Sequence, residues 1–136
     1  MIKYWIGVAS KEHVLLGVNG GFCQLSHGKK APLTRMKKGD KILYYAPKIS
    51  MNTPNPYQKI VAVGTIADDS IYEFEMAPNF IPFRRNVLFE KIEKEVTLQD
   101  LRKFPEWNQM SSKLRFGHFE ISQNLYQMIY DKLKNE

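Results

Sequence analysis

With 136 residues the chain has the size of one domain, long enough to bury roughly two-thirds of its unfolded surface. Hydrophobic residues at 43% and charged residues at 25% exclude intrinsic disorder. Twenty Lys+Arg against 14 Asp+Glu leave a net charge of +6 and a pI near 9.4, which favours polyanions over acidic partners. No apolar run approaches the roughly 18 residues of a bilayer span, and Met1-Ile2-Lys3-Tyr4-Trp5 enters a strand-like pattern without a signal-peptide layout, so a cytoplasmic location and no membrane partner are expected. The single cysteine, Cys23, excludes an internal disulfide and has no Cys or His at metal-ligand spacing; no metal or cofactor is expected.

In chain order, Tyr4-Trp5-Ile6-Gly7-Val8-Ala9 is aromatic and β-branched and reads as a buried strand. Ser10 is the N-cap expected for a short helix through Lys11, Glu12, His13, Val14 and Leu15, with Gly17 as its stop. From Gly17 to Pro32 four glycines among polar residues predict an ordered loop of the kind that carries function. Leu33-Thr34-Arg35-Met36 suits one helical turn, and Lys41-Ile42-Leu43-Tyr44-Tyr45-Ala46 a second strand closed by Pro47. A proline-rich loop over 48–58 leads to the clearest strand, Lys59 to Ile66, in which Gly64 suggests a bulge or tight bend and which Asp68-Asp69-Ser70 is expected to end.

Residues 82–92 predict a further long strand. Thr97 with Asp100 resembles a capping box for a short helix, Leu98 to Lys103, stopped by Pro105. The last segment is the strongest helix: Ser122 caps it, and Leu125, Met128, Ile129 and Leu133 form one apolar face whose Met-and-Leu stripe reads as core. Strands with short helices between them and a helix at the end argue an α+β fold on a small, strongly curved sheet or barrel, in one domain over 1–136.

Hydrolase, Walker, dinucleotide and His-x-x-x-His motifs do not occur, and His13, His27 and His118 lie far apart, so no catalytic residue is assigned and a non-enzyme is expected. More informative are the basic clusters Lys29-Lys30, Arg35, Lys37-Lys38, Arg84-Arg85 and Lys113 with Arg115, which fall beside Phe22, Tyr44, Tyr45, Phe83 and Phe116. Phosphates need cations, and an extruded base needs an aromatic face to stack on and polar groups to read its edge.

Three segments carry a family resemblance: Tyr4 to Ser10; Gly17-Val18-Asn19-Gly20-Gly21-Phe22-Cys23-Gln24 leading through Pro32-Leu33 and Arg35 to Asp40 and on to Tyr44-Tyr45; and Phe116-Gly117-His118-Phe119-Glu120-Ile121-Ser122. Together they resemble the EVE domain family of the PUA-like superfamily, related to the RNA-reading YTH domains. The resemblance implies a twisted β-barrel of about five or six strands, flanked by short helices and a C-terminal helix, that reads a modified base in DNA or RNA without catalysis. It implies a pocket at one barrel end walled by Ser10, Gly17, Val18, Asn19, Gly20, Phe22, Gln24, Tyr44, Tyr45, Pro47, Phe116 and His118. Strand alternation allows only one of Tyr44 and Tyr45 to face that pocket. Lys29, Lys30, Arg35, Arg84 and Arg85 are the expected phosphate contacts. Many EVE-type sequences have a tryptophan just before the Gly-Val pair, where this chain has Leu15-Leu16. The alternatives are a small-molecule, nucleoside-like sensor using the same pocket, and an enzyme on nucleic acid or nucleotide built on Cys23, His27 or His118.

Overall fold

The computed structural model describes residues 1–135. Strand β1 (Tyr4–Val8) leads into helix α1 (Lys11–Gly20), whose first turn is capped by Ser10 Oγ accepting from the His13 N–H at 3.3 Å. After β2 (Phe22–Cys23) come a 3₁₀ turn (Ser26–Gly28) and α2 (Ala31–Arg35). Strands β3 (Lys41–Lys48), β4 (Pro56–Glu73) and β5 (Phe83–Phe89) build the body of the sheet. The remainder comprises β6 (Val96–Thr97), α3 (Leu98–Leu101), α4 (Pro105–Met110), a second 3₁₀ turn (Ser111–Phe116), β7 (His118–Ile121) and α5 (Gln123–Lys134).

One sheet runs β2-β5-β4-β3-β1-β7, with β6 beside the early part of β4. Among the described residues only β1 and β3 pair in parallel, Tyr4 opposite Lys41, and the chain between them crosses over through α1, β2 and α2. The expected α+β architecture is present, but the sheet is open rather than a closed barrel: no pairing joins β2 to β7 among the described residues. At two and four residues, those edge strands have little length with which to pair across the gap.

Alternation sorts the strands into two cores, one on each face. Ile6, Leu43, Tyr45, Ile60 and Val63 join Trp107 and the α5 residues Leu125, Ile129 and Leu133. Trp5, Ile42, Tyr44, Ala46 and Val61 join Val14 of α1, Leu33 of α2 and Val87 of β5.

Several boundaries differ from the sequence reading. Helix α1 does not stop at Gly17; it runs to Gly20 and closes on Gly21 at φ 74°, so Gly17 to Gly20 are helical rather than loop. Gly17 is needed there for closeness, since a Cβ would lie 2.4 Å from the Phe22 carbonyl oxygen. Strand β4 does not end at Asp68-Asp69-Ser70. The ladder to β5 shifts register between Ile66 and Ile71 and then resumes, while Asp68 accepts from the Ser70 N–H and the Asn86 side chain. Gly64 lies in regular pairing, where the β5 residues Val87 and Leu88 leave no room for a Cβ. Pro105 ends nothing; it occupies the first turn of α4, the helix that delivers Trp107 to the core. Strands β2, β6 and β7 also lie outside the sequence reading.

Candidate functional site

A cavity of about 460 Å³ opens where the C-terminal end of β1 meets α1. Val8, Ala9 and Ser10 form one side, and Gln24 with Ser26 through Lys29 another. Arg115, Phe116 and Gly117 come from the turn before β7, held against β1 by the Val8 N–H donating to the Gly117 carbonyl at 2.9 Å. Two further loops complete the rim: Met51 lies between β3 and β4, and Met76 with Phe80 between β4 and β5. The second of these folds back on itself, with Met76 and Phe80 joined by a backbone hydrogen bond of 3.1 Å.

Polar groups near the entrance to α1 are tied together. His13 Nε2 lies 3.2 Å from the Gln24 carbonyl oxygen and therefore donates to it. The Gln24 side chain, 4% exposed, takes a hydrogen bond from Arg84 Nε at 3.1 Å. The wall between them is strained: Ser26 and His27 both adopt positive φ, 49° and 61°. Gly28 follows at φ 83°, where a Cβ would collide with Pro82 at 2.2 Å, so this wall closes directly on the start of β5.

Of the expected pocket residues, Ser10, Gln24 and Phe116 line this cavity. The others stand elsewhere. Gly17, Val18, Asn19 and Gly20 are in α1, and Pro47 is a half-buried residue of β3. Tyr44 and Tyr45 point to opposite faces as expected, yet both rings are interior: Tyr44 packs with Leu33 and Val87, and Tyr45 lies 5.6 Å from Trp107. Phe22 is buried beneath the Arg84 guanidinium. His118, 2% exposed, stacks on Trp5 at 4.7 Å with neither ring nitrogen hydrogen-bonded, and burial, aided by Arg35, pushes its pKa down to about 4.

The expected phosphate contacts divide in the same way. Lys29, Lys30 and Arg35 are exposed and have no ion-pair partner among the described residues. Arg84 and Arg85 are not surface cations, being 7% and 3% exposed. Arg84 is sandwiched between the Phe22 and Phe74 rings at 3.8 and 3.9 Å. Arg85 donates to the Leu33 and Met36 carbonyls at 2.8 and 2.7 Å and to the Asp68 carbonyl at 2.9 Å. A guanidinium committed in this way presents little to a phosphate arriving from solvent. Cys23 is fully buried and burial raises its thiol pKa to about 12, so it is no thiolate nucleophile. No group of three or more His, Cys, Asp or Glu placed to hold a metal ion occurs among the described residues, and no helix there is long and apolar enough to cross a membrane.

The model of the EVE domain matches residues 3–132. The chain belongs to the EVE domain family. This EVE domain is 52% identical over 134 residues to a UPF0310 protein of Streptococcus gordonii, covering 98% of this chain and 95% of that one. It is 49% identical over 135 residues to a UPF0310 protein of Helicobacter hepaticus, covering 99% of each. Among solved structures it is similar to the YTH domain of the Zygosaccharomyces rouxii MRB1 protein, solved in complex with N6-methyladenosine RNA. That match has a TM-score of 0.66 at 17% identity and covers 98% of this chain and 87% of that one. A protein of Leishmania major matches at a TM-score of 0.66 and 16% identity, covering 96% and 94%. At these identities the structural likeness is one of fold.

Proposed function

We propose that this EVE domain is a non-catalytic nucleic-acid-binding module that takes one base of a single strand, modified or unmodified, into the cavity between β1, α1 and the turn before β7. The observation that carries this reading is the layout of the cavity. Ser10, His13 and Gln24 supply polar groups, Met51, Met76, Phe80 and Phe116 supply an apolar rim, and Lys29 and Arg115 add positive charge. Lys30 and Arg35 extend that charge along the exposed surface of the segment that follows Lys29. The likeness in fold to a YTH domain solved with methylated RNA supports the same partner class. Arg84 and Arg85 leave the phosphate set, and Arg115 joins it.

Fluorescence anisotropy of short labelled single strands of DNA and RNA, with duplexes and strands carrying one abasic position as controls, tests the reading. Affinity should fall with salt at a log–log slope of about 0.7 per phosphate contacted. An abasic position should weaken binding by about tenfold or more, the loss of one base's contacts with an aromatic rim. Reversing Lys29 and Arg115 to Glu should lower both affinity and salt slope. Binding that ignores salt, or that is matched by the free nucleoside alone, would reject the module in favour of a small-molecule sensor.

A further inference from the structure

Gln24 reaches the cavity at the point where β2 hands over to the 26–28 turn, and its orientation is set from behind. Arg84 Nε is 3.1 Å from the amide Oε1, and since an N–H donates, the oxygen is the atom that must face it. The guanidinium has little freedom to leave, because Phe22 and Phe74 cover its two sides at 3.8 and 3.9 Å. The Gln24 backbone is held as well: its carbonyl accepts from His13 Nε2 at 3.2 Å and its N–H meets the Tyr44 hydroxyl at 3.4 Å. The amide Nε2 makes no hydrogen bond among the described residues and is not one of the fully buried atoms left without a partner, so it is open to solvent. A free glutamine reads an acceptor or a donor by turning over; one whose oxygen is turned to Arg84 points its amide N–H groups the other way and offers a ligand its donor.

We propose that Arg84 is a positioning residue that locks the Gln24 amide as a hydrogen-bond donor, so that the cavity selects a base presenting a carbonyl acceptor over one presenting an amino group at the same ring position. The inference rests on the base-binding reading above and narrows it to oxo-type bases. Uracil carries a carbonyl where cytosine carries an amino group, and hypoxanthine does so where adenine carries one. An amino group brought against Gln24 sets donor against donor and leaves both unsatisfied in a partly desolvated site, a penalty of about tenfold or more in affinity.

The test uses the full chain and single strands identical except at one nucleotide, which is uracil or cytosine, hypoxanthine or adenine, or abasic. The unaltered protein should bind the carbonyl member of at least one pair about tenfold more tightly. Gln24→Glu keeps the shape, accepts from Arg84 through one oxygen and offers the other as an acceptor; the preference should invert. Arg84→Met frees the Gln24 amide to rotate, and the ratio within the pair should fall towards one. Equal affinity within both pairs, while the abasic strand is clearly weaker, overturns this inference and leaves base binding intact. A preference that Gln24→Glu leaves unchanged also overturns it. Failure to bind any strand, or binding indifferent to the abasic position, overturns the base-binding reading and this inference with it.

Discussion

On the face of the sheet covered by α3, α4 and α5, the core cluster from Ile6 to Leu133 contains only aliphatic, aromatic and methionine side chains. On the α1 and α2 face, Trp5, Leu33 and Tyr44 share the interior with Asp40, Arg85 and His118, and Gln24 and Arg84 are buried nearby against Phe22. Most of these polar groups have hydrogen-bond partners set in a fixed direction. Asp40 accepts from the Trp5 indole N–H at 3.0 Å and from the backbone N–H groups of Lys3 and Lys37. Arg85 bridges α2, through the Leu33 carbonyl, to the irregular stretch of β4, through Asp68. Apolar burial stabilises without prescribing orientation, whereas a buried hydrogen bond is strong only in one arrangement and costly when broken. The first face holds the domain together, and the second fixes the segments that wall the cavity.

The largest effect that separates the faces is expected from Trp107→Ala, which should lower unfolding free energy by about 3–5 kcal/mol in urea titrations. A loss under about 1 kcal/mol would show that the α3–α5 face is not close-packed. Arg85→Met should cost about 3 kcal/mol by removing three hydrogen bonds from a buried guanidinium to backbone carbonyls. It should leave the salt slope of nucleic-acid binding where it was; a reduced slope would mean that Arg85 reaches a phosphate after all.

His118 sharpens the comparison through pH. Its native pKa of about 4 lies below the ordinary 6.5, so as pH falls the unfolded chain takes up the proton first. The stability it contributes is complete above about pH 6.5 and is lost as pH falls towards 4, a change of up to about 3 kcal/mol. The urea midpoint should therefore drop between about pH 7.5 and about pH 4.5, and His118→Phe should flatten that drop while Trp107→Ala preserves it. A drop of the same size in His118→Phe would assign it to carboxylates. The smallest effect belongs to neither face: Lys29→Glu with Arg115→Glu should move stability by no more than about 0.5 kcal/mol. Any larger loss would make those cations structural.

What could be read from the sequence was whatever local pattern controls. Helix α5 followed from the Ser122 cap and the spacing of Leu125, Ile129 and Leu133, all of which are buried, and the α3 cap at Thr97 was equally visible. The opposed faces of Tyr44 and Tyr45 followed from strand alternation, though tertiary packing put both rings in the interior rather than at the cavity. Gly17 looked like a helix stop because its close approach to Phe22 is a tertiary fact that no local signal carries. Met51, Met76 and Phe80 were unreadable as a rim, since their loops converge only in the fold. For Arg84 and Arg85 a signal did exist: they sit in a run of strand formers, and neighbours in a strand point to opposite faces, so one of them had to point inward. Both turned out to be buried.

Strand β1 lies between β3 and β7, with Tyr4 opposite both Lys41 and Ile121. During synthesis β1 must wait for β7, more than a hundred residues later, before its second edge is covered. Until then it exposes a row of unpaired backbone groups beside aromatic residues, the kind of edge that recruits other chains. Closure between such distant segments also makes folding slow relative to a helical domain of this size. The time between the appearance of Tyr4 and that of Ile121 is therefore the period in which this domain is most exposed to aggregation.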